Sequence, residues 1–355
     1  MNQHDVPVTG TALMWQEILS QPALVDAELS RLRREAMQAV GHWQRSPGTI
    51  YLVGTGDSYL AARSSAYLFA HYLGRWPVAW PTREFTHYCP ATAQDLVIVI
   101  STSGSAAAAT CAAVAADTGS RVVGLTAEMT SPLARACPWV LRLPASWTRC
   151  TPHTRDYMAA LLALSCLTES IAGTPLAPLQ DMSATLRAAI DMAQAGIAAL
   201  SCPVASTYFF VGAGPLWPTA EYGAAKFWEA GGLPAFAQEL EEVAHGLHLT
   251  VSEGDVVVVL VREGVHSRLA RRLASGFRTL GAHPVILTDS ADAFSEMPCV
   301  TFPPVPEEWV HMAACVPLQV LCHHVAERAN LNVVQSRGGR DARGLYDEVR
   351  RAWLA

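Results

Sequence analysis

Short apolar runs recur along the chain at residues 50–53, 96–100, 122–125 and 140–143, the last interrupted by Arg142, and again at 208–211, 256–261 and 284–287. Most are rich in Val, Ile and Leu and lack the polar–apolar alternation of a half-exposed strand. That pattern predicts strands buried on both faces, as parallel sheets require. A further short strand is predicted at 77–80. Helices are predicted over 58–73, 106–117, 179–200, 219–230, 268–280 and 308–328, with Gly119 stopping the Ala-rich one. Strand and helix alternate, which implies an α/β fold with doubly wound sheets and right-handed crossovers.

The pattern occurs twice, with little residue identity between the copies. A length of 355 residues also suits two domains. The expected division is an N-terminal segment over 1–30, a first domain over 31–175, a second over 176–328 and a tail over 329–355. The copies differ where their central strands end. The first runs into Ser101-Thr102-Ser103-Gly104-Ser105, the second into Arg262-Glu263-Gly264. One anion site is therefore expected, in the first domain.

Composition narrows the function classes. Apolar residues make up 51% and charged residues 16%, enough apolar surface for well-buried cores. The net charge is −6 and no Lys/Arg run occurs, so a nucleic-acid partner is not expected. The first ten residues are polar and lack a secretory apolar core, and no apolar run is long enough to span a bilayer. Nine cysteines occur without a C-x-x-C pair, which reads as buried, reduced thiols in a cytoplasmic protein with no membrane association.

The loop after the run at 96–100 carries the candidate chemistry. In an open α/β fold, ligands bind at the carboxyl ends of the strands. A helix start there offers free N–H groups and a positive dipole end. Ser101, Thr102, Ser103 and Ser105 add hydroxyl donors, and Gly104 allows close backbone approach. The set suits a phosphate monoester held without metal, although Ser and Thr are also ordinary N-cap and turn residues. Ser58 follows Gly54-Thr55-Gly56-Asp57 at the end of the first strand and adds a second hydroxyl loop.

At these residues the chain resembles the SIS (sugar isomerase) family, in particular the isomerase half of glucosamine-6-phosphate synthase and the stand-alone amino-sugar-phosphate deaminases and deglycases. Met14-Trp15-Gln16-Glu17-Ile18-Leu19-Ser20-Gln21-Pro22 is similar to an M-x-x-E-I-x-x-Q-P opening. Gly54-Thr55-Gly56-Asp57-Ser58-Tyr59 is similar to a G-x-G-(T/D)-S-Y turn, the loop from Ser101 to Gly104 to S-x-S-G, and Val316-Pro317-Leu318-Gln319 to V-P-L-Q. The resemblance covers nearly the whole chain. It implies two flavodoxin-like three-layer SIS domains, no cofactor and no metal, and a homodimer with active sites near the subunit boundary. It also nominates catalytic positions. Gly223-Ala224-Ala225-Lys226-Phe227-Trp228-Glu229 resembles G-A-x-K-x-x-E, and His245-Gly246 falls where the family has H-G. By this likeness Glu229 is the enolisation base, Lys226 assists it, and His245 opens the sugar ring.

The chemistry has its own logic. Moving a proton between C1 and C2 needs a carboxylate base, a donor for charge developing on oxygen, and a group that shuttles the ring-oxygen proton. Lys226 and Glu229 stand at i and i+3, on one helix face; alone, that spacing equally describes a surface ion pair. Three departures from the family are visible. Ser105-Ala106 replaces a Glu-Thr pair, so one phosphate contact is expected to be lost. Thr151-Pro152-His153-Thr154-Arg155 replaces V-A-S-T-K, which brings His153 and Thr154 toward the sugar. The tail from Asn332 to Asp341 matches the family only in part. The synthase's glutaminase half is expected to be absent. The expected function is a sugar-phosphate aldose/ketose isomerase or amino-sugar-phosphate deaminase, acting through an enediol on a small-molecule sugar phosphate. The alternatives are a fructosyl-amine-phosphate deglycase and a non-catalytic sugar-phosphate sensor.

Overall fold

A computed structural model describes residues 10–43, 48–144, 152–200, 203–331, 333, 348–349 and 352. The chain opens with helix α1 (Gly10–Val40) and continues through β1 (Ile50–Gly54), α2 (Asp57–Leu73), β2 (Val78–Pro81) and α3 (Thr82–Tyr88). Next come β3 (Leu96–Ile100), α4 (Ala106–Asp117), β4 (Arg121–Thr126), α5 (Pro132–Ala136), β5 (Trp139–Arg142) and α6 (Thr154–Ala172). The second half holds α7 (Ala177–Gln180), α8 (Met182–Ala199), β6 (Tyr208–Gly212), α9 (Leu216–Glu229), β7 (Ala235–Glu239) and β8 (Val256–Leu260). It closes with α10 (Ser267–Thr279), β9 (His283–Thr288), β10 (Cys299–Thr301) and α11 (Val310–Arg328).

Each half forms a five-stranded, all-parallel sheet. The first has the order β2-β1-β3-β4-β5, and the second, read from its opposite edge, is β7-β6-β8-β9-β10, the same winding. The two-domain α/β expectation therefore holds. β1, β3, β6 and β8 are buried at every position, which is why their sequences run apolar without alternation. In both sheets the winding reverses between the two central strands, β1/β3 and β6/β8. There the connections leave in opposite directions and open a crevice.

The main hydrophobic core is continuous between the two sheets. It takes in α1, α2, α6, α8, α9 and α11 together with the inner faces of both sheets. Two smaller cores lie under the outer helices. α1 and α6 are absent from the expected set of helices, for different reasons. α1 carries Pro22 in its interior and runs across the expected boundary at residue 30. The Pro22 carbonyl accepts a hydrogen bond from Ser183 Oγ at 3.0 Å, which ties α1 to α8. α6 is buried continuously from Tyr157 to Thr168, so it has no polar face to give a helical period. β7 and β10 were also not legible: β7 is half-exposed and β10 spans only three residues. Cys111, Cys166 and Cys322 are buried free thiols, and no helix among the described residues is long and apolar enough to cross a membrane.

A buried polar chain ties the helices together. Gln21 Nε2 of α1 donates to Gln319 Oε1 of α11 at 2.6 Å, and Gln319 Nε2 donates to Tyr222 Oη of α9 at 3.0 Å. The Tyr222 ring stacks on Tyr157 with centroids 3.8 Å apart, and the Tyr157 hydroxyl lies 3.0 Å from Ser64 Oγ on α2. Gln319→Leu strands the Gln21 amide and the Tyr222 hydroxyl, so a loss of about 2–3 kcal/mol is expected in urea unfolding. The double change Gln21→Leu/Gln319→Leu is expected to recover part of it, because fewer buried groups stay unpaired.

α11 also buries His311 completely, and burial pushes its pKa down to about 4. The unfolded chain binds a proton there below about pH 6.5 while the folded chain does not, so stability falls as pH drops through this window. The full effect is on the order of 3 kcal/mol. Urea midpoints measured between pH 6.5 and about 4 are expected to fall less steeply in His311→Gln than in the wild type.

Candidate active site

The site begins at the β1–α2 turn. A side chain at Gly54 would meet the Ser58 backbone at 2.7 Å, and Gly56 has φ +58, so both positions favour glycine. The sharp turn makes Asp57 the first residue of α2, where a carboxylate suits the positive helix end. Ser58 follows in the same turn, half-buried.

α9 brings the other half of the site from the second domain. The Lys226 side chain is 0% exposed, and its Nζ lies 2.5 Å from Asp57 Oδ2 and 2.5 Å from Glu229 Oε2. The ammonium also sits 5.1 Å from the centre of the Tyr222 ring. Burial alone would lower the Lys226 pKa, but the two carboxylates outweigh it and hold it above the ordinary lysine value. Lys226 is therefore a fixed cation, suited to donate to developing negative charge and not to accept a proton. Glu229 ends α9 with its side chain 32% exposed, so its carboxylate is open to solvent on one side. Arg63 on α2 pairs with Glu221 on α9, a second bridge between the domains, and its guanidinium lies 4.8 Å from the Trp217 ring centre.

The hydroxyl loop lies beside this turn, because β3 is the sheet neighbour of β1. Gly104 has φ +62, its N–H donates to Ser101 O at 2.9 Å, and an added Cβ would fall 2.0 Å from Ser131 Oγ. Glycine is thus required by packing as well as by backbone conformation. Ser105 is the N-cap of α4: its Oγ accepts from Ala108 N at 3.3 Å, while its own N–H donates to Ser101 Oγ at 3.3 Å. The Ser105 hydroxyl thus caps α4 as an acceptor and keeps its own hydrogen to donate. Thr102 and Ser103 have no side-chain hydrogen bond among the described residues, and Ser103 is exposed at the helix start. These two hydroxyls and the first turn of α4 remain for an anion.

The other expected site residues sit on other elements. Thr154 is buried, and its Oγ1 donates to Glu17 Oε2 at 3.4 Å, with Arg155 N 3.5 Å from the same oxygen. The Glu17 of the opening motif is thus a buried anchor for the start of α6. His153 caps α6 with its ring half-exposed, Nδ1 lying 3.6 Å from Asp156 Oδ2. His245 sits exposed on the single turn Glu242–His245 after β7, and the Lys226 ammonium bonds to Asp57 and Glu229 rather than to it. The tail stretch 334–341 lies outside the described residues. Asp57, quoted as part of a motif but not expected in the site, is the residue that sequence reasoning missed. An acidic side chain at a strand-end turn was its only local signal.

At the matching strand ends of the second domain, a cavity of about 240 Å³ is lined by Ala213, Pro215, Arg262, Gly264 and Glu307 among others. Its one arginine is committed to the loop itself, donating through Nε to Asp289 Oδ2 and through Nη2 to the Val305 carbonyl, both at 3.0 Å.

Residues 45–170 and 204–319 each match the family model for the SIS domain, and the chain belongs to that family. It is 28% identical over 309 residues to a glutamine–fructose-6-phosphate aminotransferase (isomerizing) of Gloeobacter violaceus, a match covering 81% of this chain and 50% of that protein. The Synechocystis protein of the same name is 25% identical, covering 91% of this chain and 58% of its own. The chain therefore spans about half the length of these curated relatives. Among solved structures, the C-terminal domain of glucosamine-fructose-6-phosphate aminotransferase from Francisella tularensis superposes with a TM-score of 0.78 at 18% identity, covering 93% of this chain and 99% of that one. A glucosamine-6-phosphate deaminase from Thermotoga maritima gives 0.72 at 20% identity, covering 90% and 96%. These structural likenesses establish the fold.

Lys226→Met leaves two carboxylates facing each other without their cation. Because both keep partial contact with solvent, a loss of about 3 kcal/mol is expected at neutral pH, the low end for breaking a buried pair. The deficit relative to wild type is expected to shrink near pH 4, where protonation removes the repulsion. Urea unfolding at both pH values checks this.

Proposed function

We propose that this chain is a phosphosugar isomerase or amino-sugar-phosphate deaminase that moves a proton between C1 and C2 of a sugar 6-phosphate through an enediol-type intermediate. The observation that carries the reading is the Asp57–Lys226–Glu229 cluster, built across the two domains at strand ends adjoining a hydroxyl-rich loop. Glu229, the open carboxylate, takes the carbon-bound proton and returns it to the neighbouring carbon, so no net acid or base is consumed. Lys226 donates to the oxygen on which charge develops. The phosphate sits on Thr102, Ser103 and the start of α4, with Ser101 and Gly104 shaping the loop and Ser58 within the same crevice. His245, exposed on its turn, serves ring opening in the second copy of a homodimer. His153 borders the sugar's far side. The SIS family match, the aminotransferase relatives and the deaminase structure support this choice of chemistry.

Ammonia release from glucosamine 6-phosphate and isomerisation of fructose 6-phosphate are the two assays that divide the reading. In whichever responds, Glu229→Gln is expected to lower kcat by about 10²–10⁴-fold, the usual share of a general base, while the sugar phosphate still raises the melting temperature. Undiminished turnover in Glu229→Gln contradicts the mechanism. Turnover confined to a phosphorylated fructosyl amine makes the chain a deglycase. A melting shift with no turnover of any of these makes it a sensor.

A further inference from the structure

The reading above gives roles to Lys226 and Glu229 but leaves Asp57 without one. We infer that Asp57 is a positioning residue: by sharing Lys226 with Glu229 across the domain boundary, it keeps Glu229 a stronger base than a plain Lys–Glu pair would allow. The inference rests on Glu229 being the base.

Geometry comes first. Asp57 Oδ2 and Glu229 Oε2 each lie 2.5 Å from the same Nζ, so they are at most about 5 Å apart, close enough for like charges to interact strongly. One ammonium cannot neutralise both carboxylates, and the cluster carries a net negative charge. Without Asp57, Lys226 would belong wholly to Glu229, which makes a good ion pair and a poor base. Nor can Asp57 readily turn away. It is fixed at the first position of α2 by the two-glycine turn, and its second oxygen, Oδ1, is buried with no hydrogen-bond partner among the described residues. An unpaired buried carboxylate oxygen costs stability, and such costs concentrate where function requires them.

The surroundings single out Asp57 as the group that matters. Tyr157 on α6, Tyr222 on α9, and Cys315 and Cys322 on α11 are all pushed up by burial, so they stay neutral across the range of a rate profile. Arg63 on α2 is paired with Glu221. On β7, the Glu239 carboxylate accepts from the N–H groups of Glu241 and Glu242, and the Tyr208 hydroxyl on β6 accepts from Ala205 N.

The test is a carbon-13 NMR titration of the glutamate carboxylates in the full chain, with the Glu229 signal assigned by its loss in Glu229→Gln. In Asp57→Asn, which keeps the shape and the hydrogen-bond acceptor, the Glu229 midpoint is expected to fall by about one pH unit or more. The acidic limb of kcat/KM is expected to move with it, while KM for the sugar phosphate stays near the wild-type value. Asp57→Thr, a residue also found at this turn in the family pattern, provides the same reading if the asparagine variant folds poorly. An unchanged or raised Glu229 midpoint in the folded variant overturns the inference. The titration needs no substrate, so it is separate from the turnover of Glu229→Gln: a shifted midpoint with full activity in Glu229→Gln would remove the base assignment and leave the coupling intact.

Discussion

A lysine with no solvent contact, held between carboxylates of two different domains, is the constraint on which this molecule turns. Burying an ammonium is costly unless its partners are close and well aligned. Here Asp57 comes from the first α2 turn of one domain and Glu229 from the end of α9 in the other. Any shift of one sheet against the other would strip the cation of a partner, so the ion cluster and the relative placement of the domains hold each other in place.

The rest of the fold serves that placement. Both sheets are wound the same way, so each presents a crevice at its carboxyl end. The chain uses the equivalence unequally. In the first domain, the turns after β1 and β3 keep a carboxylate and free hydroxyls at the crevice. In the second, Arg262 is spent on Asp289 and the Val305 carbonyl, and the domain contributes through its helix α9 instead. The shared core and the Gln21–Gln319–Tyr222 chain bring α9 against α1 and α11. Residues from the two ends of the sequence thus set the orientation of the helix that carries Lys226 and Glu229.

Much of this was legible in the sequence, for physical reasons that differ by residue. Strands buried on both faces, such as 96–100 and 256–260, announce themselves because nothing polar survives there. Glycine turns announce themselves because few other residues adopt a positive φ without strain. Lys226 and Glu229 share a helix, so their neighbourhood could be read from spacing. Asp57 stands 169 positions from Lys226, and no local rule joins them. α6 stayed hidden because it is buried on all sides, and the contact between Thr154 and Glu17 was not legible because the two stand 137 residues apart. Local pattern reveals elements and turns; which side chains meet across two domains is a property of packing.

The central claim is that Glu229, steadied by Lys226, moves a proton on carbon. Proton NMR in deuterated water, with fructose 6-phosphate and glucosamine 6-phosphate as substrates, reads that step directly, even where no net product accumulates. Deuterium is expected at C1 or C2 with the wild-type chain and not with Glu229→Gln. A chain that binds these sugar phosphates yet exchanges no carbon-bound proton, or a Glu229→Gln variant that exchanges it at the wild-type rate, would contradict the claim.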